Sequence, residues 1–257
     1  MDTPTLPNNP RIGRGVPLAR LLPNMLTLMS LCSGLTAMRY ALHEKWEAAA
    51  LAIVIASVFD ILDGRVARML NITSKFGAEL DSLSDAISFG VAPGFVLYLW
   101  LLKDTKLGWI AVLVFAVCAA LRLARFNTLL EDDTAPKWTK SFFTGIPTPG
   151  GAGLVLLPLF LVLEFGAWVQ IPAEALAVWL IVVGGLMVSR VPTLSMKGRR
   201  VPSVLVAPVM ALAALLVAGL ITNTWLVLSG LALAYTLSLP YGWHCYRQKQ
   251  RHEKLES

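Results

Sequence analysis

The sequence predicts an all-α fold, a polytopic transmembrane bundle of about eight helices with both termini cytoplasmic. Three observations lead there. Of the 257 residues, 56% are hydrophobic and only 15% are charged, and the mean hydropathy of +0.65 lies far outside the soluble range. The apolar residues gather into stretches long enough to cross a hydrocarbon core ~30 Å thick, which takes roughly 20 helical residues each. The basic residues fall almost entirely on one side of the topology that those stretches imply.

The expected spans lie at about 24–42, 46–69, 81–103, 108–128, 148–165, 173–194, 202–220 and 224–244, separated by short polar connections. They divide the chain into an N-terminal cytoplasmic tail over 1–22, a single membrane domain over 23–245 and a C-terminal cytoplasmic tail over 246–257. The leader is polar and contains Pro and Arg. The first apolar run is succeeded at once by further spans, which is unlike a cleavable signal peptide. No repeat of solenoid or inverted-repeat period is visible.

With both termini on one side, that side receives Arg11, Arg14, Arg20, Arg65, Arg68, Lys75, Arg122, Arg125, Lys137, Lys140, Arg190, Lys197, Arg199, Arg200, Arg247, Lys249, Arg251 and Lys254. The other side receives Lys45, Lys103 and Lys106, and Arg39 stays inside the first span. An imbalance of roughly 18 to 3 orients the bundle with its loops of even-to-odd helices in the cytoplasm. The net charge of +6 therefore reads as topology and as attraction to anionic headgroups. Nucleic acid is excluded as a partner, because no soluble basic domain exists to carry it. Cys32, Cys118 and Cys245 show no ligand spacing.

The acidic residues carry the chemistry. The second span ends in Asp60-Ile61-Leu62-Asp63-Gly64-Arg65-Val66-Ala67-Arg68, and the third opens on Gly77-Ala78-Glu79-Leu80-Asp81-Ser82-Leu83-Ser84-Asp85. At about 3.6 residues per turn, Asp60, Asp63, Gly64 and Ala67 share one helical face, as do Gly77, Asp81 and Asp85. The short connection over 69–76 brings both faces to the cytoplasmic end of an antiparallel pair. An Asp near the middle of a membrane helix costs ~2.5–3.5 kcal/mol, and four together add like-charge repulsion that a cation relieves. Interfacial acids paired with Arg65 and Arg68 are the plainer alternative, but they need neither stack on facing surfaces nor be accompanied by small residues. Hard divalent cations, Mg²⁺ or Mn²⁺, prefer such all-oxygen ligands, and two ions can clamp a diphosphate during an in-line displacement. Gly64, Ala67 and Gly77 leave room for a nucleotide to approach the backbone.

Asp60-x2-Asp63-Gly64-x2-Ala67-Arg68-x8-Gly77-x3-Asp81-x3-Asp85 resembles the motif of the CDP-alcohol phosphatidyltransferase family at every fixed position. The resemblance implies that Asp60, Asp63 and Asp81 ligate metal and that Asp85 serves as both ligand and general base. It also implies that Gly64, Ala67, Arg68 and Gly77 shape the CDP-lipid pocket. Chemistry agrees on its own terms, since an alcohol is a weak nucleophile and needs a carboxylate within hydrogen-bond reach to take its proton. A tightly bound metal ligand makes a poorer base, so Asp85 is expected slightly outside the tightest coordination shell.

Outside that motif, Leu22-Pro23-Asn24-Met25-Leu26-Thr27, Leu121-Arg122-Leu123-Ala124-Arg125-Phe126-Asn127 and Gly145-Ile146-Pro147-Thr148-Pro149 resemble the bacterial phosphatidylserine synthase branch of the family. Ser189-Arg190-Val191-Pro192 with Lys197 extends the likeness. That branch implies CDP-diacylglycerol and L-serine as substrates, membrane lipids as surroundings, a homodimer, and a bacterial inner membrane with the active site toward the cytoplasm. Arg122, Arg125 and Asn127 are candidates to grip the serine carboxylate or a lipid phosphate, with positive-inside flanking as the alternative. Arg190 and Lys197 share that ambiguity. Asn24 and Thr27 are candidates for donor contact or for interhelical packing. Glycerol phosphate, inositol or choline remain alternative acceptors, and a cation-coupled carrier is the alternative of a different class. A carrier calls for acids at the bilayer midplane and broken helices, rather than acids at a cytoplasmic helix end.

Overall fold

The computed structural model describes residues 21–70, 74–130, 142–189, 192–194 and 203–238. Among them are eight helices: α1 Leu22–Leu42, α2 Trp46–Met69, α3 Lys75–Leu102, α4 Gly108–Leu130, α5 Thr148–Phe165, α6 Ala173–Val188, α7 Ser203–Thr222 and α8 Thr224–Ser238. Five of them, α1, α3, α4, α5 and α7, are long and apolar enough to cross a membrane. α2 has the length but carries Glu47, Asp60, Asp63, Arg65 and Arg68, and α6 and α8 are shorter.

Two boundaries differ from the spans read in the sequence. α3 begins at Lys75 rather than near 81, because Ser74 caps it by accepting a hydrogen bond from the Gly77 N–H at 3.0 Å. The polar turns bearing Gly77 and Asp81 are thereby helical. α6 stops at Val188 rather than near 194, and Pro192–Leu194 forms a short strand, β2, antiparallel to β1 over Phe142–Thr144. Pro192 disfavours helix in the residue before it and cannot itself donate to one. This three-residue ribbon is the one departure from an all-α fold among the described residues. After β1 the chain turns at Gly145, whose φ is +83° and whose Cβ, if present, would collide with the Met187 carbonyl.

α1 lies between α2 and α3, held by small and polar residues. Ser30 Oγ donates to the Ala56 carbonyl of α2 at 3.0 Å. From α3, Ser84 Oγ donates to the Thr27 carbonyl and Ser88 Oγ to the Ser30 carbonyl, both at 3.1 Å. A Cβ on Gly34 would stand 2.7 Å from Ser88 Cα, so these two helices approach as closely as backbones allow. Buried Ala37 and Ala41 on α1, and Ala49, Ala52 and Ala56 on α2, serve the same end. Small side chains at interfaces and hydroxyls bonded across them are how helices associate in lipid, where burial of apolar surface gives no preference for protein over solvent.

Larger side chains, among them Phe89, Phe115, Leu154, Phe160 and Leu180, fill the core beyond this trio. Two π-helical turns, Ala86–Val91 and Tyr98–Leu102, interrupt α3; the first comes immediately after Asp85 and before Pro93. Pro158 inside α5 deprives the Leu154 carbonyl of its helical partner, and Trp179 Nε1 of α6 donates to that carbonyl at 2.9 Å.

Candidate active site

The end of α2, the start of α3, the end of α4 and the start of α1 and α5 converge at one end of the bundle. One carboxylate oxygen from each of Asp60, Asp63 and Asp81 lies within 4.8 Å of the other two. Asp85, one turn beyond Asp81, is within hydrogen-bonding reach of Asp60, and its Oδ1 is buried without a partner. The α2 and α3 backbones hardly touch at this level, while α1 packs against both. The acids reach across the gap with their side chains, leaving a space walled by oxygen.

Thr27 sits on α1 at the edge of that space. Its hydroxyl donates to Asp63 Oδ2 at 2.7 Å, which orients the carboxylate. Asp63 is only 6% exposed, so this bond is made away from solvent. Three carboxylates this close, in an all-oxygen set, with a fourth carrying an orphaned buried oxygen, fit a hard divalent cation. Asp60, Asp63 and Asp81 could hold it.

The other expected residues divide into two groups. Asn24 meets Gly77: a Cβ there would come within 3.1 Å of Asn24 Oδ1, so a larger residue would require that side chain to shift. Gly64 opens toward the guanidinium of Arg68, 3.6 Å from the position of its absent Cβ. Ala67 is half-buried and Arg68 exposed at the same end of α2. On α4, Arg122 Nη1 donates to Thr148 Oγ1 at the start of α5, and its charge acts on Asp85. Asn127 Nδ2 donates to Ser82 Oγ of α3 at 3.0 Å, tying the end of α4 to the acid-bearing helix. Arg125 is half-buried, between those two on α4. Arg190 and Lys197 lie outside the described residues.

Three contributors escaped the sequence reading. Thr148 lies in a segment noted only for its family likeness, Ser82 falls between two acids, and Tyr235 is one of several hydroxyl groups in an apolar run. An unexplained hydroxyl inside a span is the only signal the last one gives.

Comparison with known proteins decides the family. The family model described as CDP-alcohol phosphatidyltransferase matches residues 20–187, from the start of α1 almost to the end of α6 and including all four aspartates. The chain belongs to the CDP-alcohol phosphatidyltransferase family. A second model, CDP-alcohol phosphatidyltransferase 2, matches residues 204–240, covering α7 and α8. Among the similar proteins is the CDP-diacylglycerol–serine O-phosphatidyltransferase of Mycobacterium leprae (strain TN), 41% identical over 245 residues, 95% of this chain and 81% of the relative. That of Mycobacterium tuberculosis (strain ATCC 25618 / H37Rv) is 38% identical over 246 residues, 96% of this chain and 86% of the relative. That of Helicobacter pylori (strain ATCC 700392 / 26695) is 36% identical over 172 residues, 66% of this chain and 70% of the relative. CDP-alcohol phosphatidyltransferases are divalent-metal-dependent membrane enzymes, in keeping with the acid cluster and the long apolar helices of this chain.

Proposed function

We propose that the protein is a phosphatidylserine synthase, transferring the phosphatidyl group of CDP-diacylglycerol to the hydroxyl of L-serine and releasing CMP. The observation that carries the reading is the convergence of Asp60, Asp63 and Asp81 beside Asp85, and the buried Asp85 Oδ1 without a partner supports its reading as the base. The names of relatives that align with nearly the whole chain support serine as the acceptor.

In this reading Asp60, Asp63 and Asp81 hold divalent metal, Mn²⁺ or Mg²⁺ and two ions, which supplies charge neutralisation at the diphosphate. Asp85 takes the proton from the serine hydroxyl as its oxygen bonds to the phosphorus that bears the diacylglycerol. The bond from that phosphorus to the bridging oxygen breaks, and the electron pair leaves with CMP. Thr27 keeps Asp63 oriented, while Asn24, Gly64, Ala67, Arg68 and Gly77 accommodate the CDP headgroup. Arg122, Arg125 and Asn127 belong to the acceptor or phosphate side, with Arg190 and Lys197 as further contributors. We also assign the enzyme to the bacterial inner membrane as a homodimer, with eight spans, cytoplasmic termini and a cytoplasmic active site; the distribution of basic residues supports that orientation. The membrane domain is 23–245, flanked by short tails.

The test is incorporation of radiolabelled serine into lipid by the purified protein in detergent with CDP-diacylglycerol, with and without Mn²⁺ or Mg²⁺. Metal-dependent formation of phosphatidylserine and CMP is expected. CMP release only with glycerol phosphate, inositol or choline would retain the chemistry and replace the acceptor.

A further inference from the structure

Four buried side-chain polar atoms lack a hydrogen-bond partner among the described residues, and three of them belong to one constellation: Asp85 Oδ1 on α3, Arg122 Nε on α4 and Tyr235 Oη on α8. Arg122 links the set, since its charge acts on both Asp85 and the Tyr235 hydroxyl. One N–H of Nη1 is committed to Thr148 Oγ1, which fixes the guanidinium, and Nε–H is a buried donor without a partner. The Tyr235 ring packs near the start of α5, where a Cβ on Gly150 would meet Tyr235 Cε1 at 3.4 Å.

A buried polar atom left without a partner is destabilising, so leaving three together is explicable when a ligand completes them. The requirements are specific. Two donors, Nε–H and Oη–H, call for an acceptor-only group such as a carboxylate, and Asp85 Oδ1 calls for a hydroxyl that can donate. A hydroxy acid with the two groups on adjacent carbons meets all three.

Resting on the acceptor reading above, we infer that Tyr235 is a specificity-determining residue for the acceptor: its hydroxyl and Arg122 Nε–H together receive the serine carboxylate, which aims the serine hydroxyl at Asp85. This gives α8, the most C-terminal described helix, a role in choosing the acceptor rather than in the transfer itself. It also gives a partner to the Tyr235 hydroxyl, which is buried without one, whereas the Thr224, Thr236 and Ser238 hydroxyls of the same helix bond back to backbone carbonyls three or four residues earlier.

The experiment compares full-length wild type and Tyr235→Phe in detergent with Mn²⁺ and CDP-diacylglycerol, titrating L-serine and, separately, serinamide, which keeps the hydroxyl and lacks the carboxylate. Loss of one hydrogen bond to a charged group predicts a serine KM raised about tenfold or more, with kcat and the KM for CDP-diacylglycerol within about threefold of wild type. The preference for serine over serinamide should fall by a similar factor. A readout independent of turnover is the rise in thermal midpoint on adding serine to protein with Mn²⁺ and CMP, which should shrink in the variant. Tyr235→Phe retains the ring, and the ratio of the two acceptors within one preparation is insensitive to partial loss of folded protein. An unchanged serine KM in Tyr235→Phe, beside a wild type that makes phosphatidylserine, overturns the Tyr235 contact alone. A raised KM for CDP-diacylglycerol instead assigns the hydroxyl to the donor and equally overturns it. A wild type that makes no phosphatidylserine overturns the acceptor reading, and the carboxylate contact with it.

Discussion

Helices α3 and α7 are both long enough to cross a membrane, yet they are built in opposite ways. In its most apolar stretch of 18 residues, half of α3 is buried in the protein, whereas none of α7 is. α7 is the more uniformly apolar of the two, with Met210, Leu212, Leu215 and Ile221 all well exposed. α3 instead presents Ser84, Ser88 and Gly90 to the interior and carries Asp81 and Asp85 at one end. In water the more apolar helix would be the inner one. In lipid the apolar effect does not sort helices, so position is decided by which helix offers small residues for close approach and polar groups that need partners. The interior of this bundle is correspondingly where its chemistry lies.

That contrast can be broken from either side. The largest effect is expected at the acids: Asp85→Asn keeps the volume and removes the base, and turnover should fall by about 10²–10⁴ with metal still bound, read as product formation beside metal-dependent thermal stabilisation. Retained turnover would remove Asp85 from the proton transfer. Thr27→Val deletes the 2.7 Å bond to Asp63 while preserving shape, and should weaken metal activation roughly 10–100-fold in a Mn²⁺ titration. Thr27→Ser is expected to restore it. Gly34→Ala places a methyl group against the Ser88 backbone and should cost ~1–3 kcal/mol, seen as a lower thermal midpoint in detergent. At the small end, Leu215→Ala on α7 shortens a side chain that is 69% exposed and should alter stability by less than ~0.5 kcal/mol. A large loss there would mean that another surface covers α7.

Much of the site was legible in the chain because its signals are local. Asp60 and Asp63, or Asp81 and Asp85, fall on one face through helical periodicity alone, and their spacing across one short connection is a property of a single helical hairpin. Apolar runs of membrane-spanning length likewise declare themselves without reference to the rest of the fold. The start of α3 was less legible, since its first turns are polar and the cap that Ser74 provides outweighs that polarity.

By itself, then, the sequence determined that this is a membrane helix bundle of the CDP-alcohol phosphatidyltransferase family with four aspartates at one end of one hairpin. Tertiary structure decided that α1 packs against both acid-bearing helices and that Thr27 orients Asp63. It decided too that Arg122, Thr148 and Tyr235, drawn from three helices, share one neighbourhood. The reason is physical: which helix neighbours which in a bilayer depends on close fit and on pairing of scattered polar groups, and those are relations between distant segments that no local period encodes.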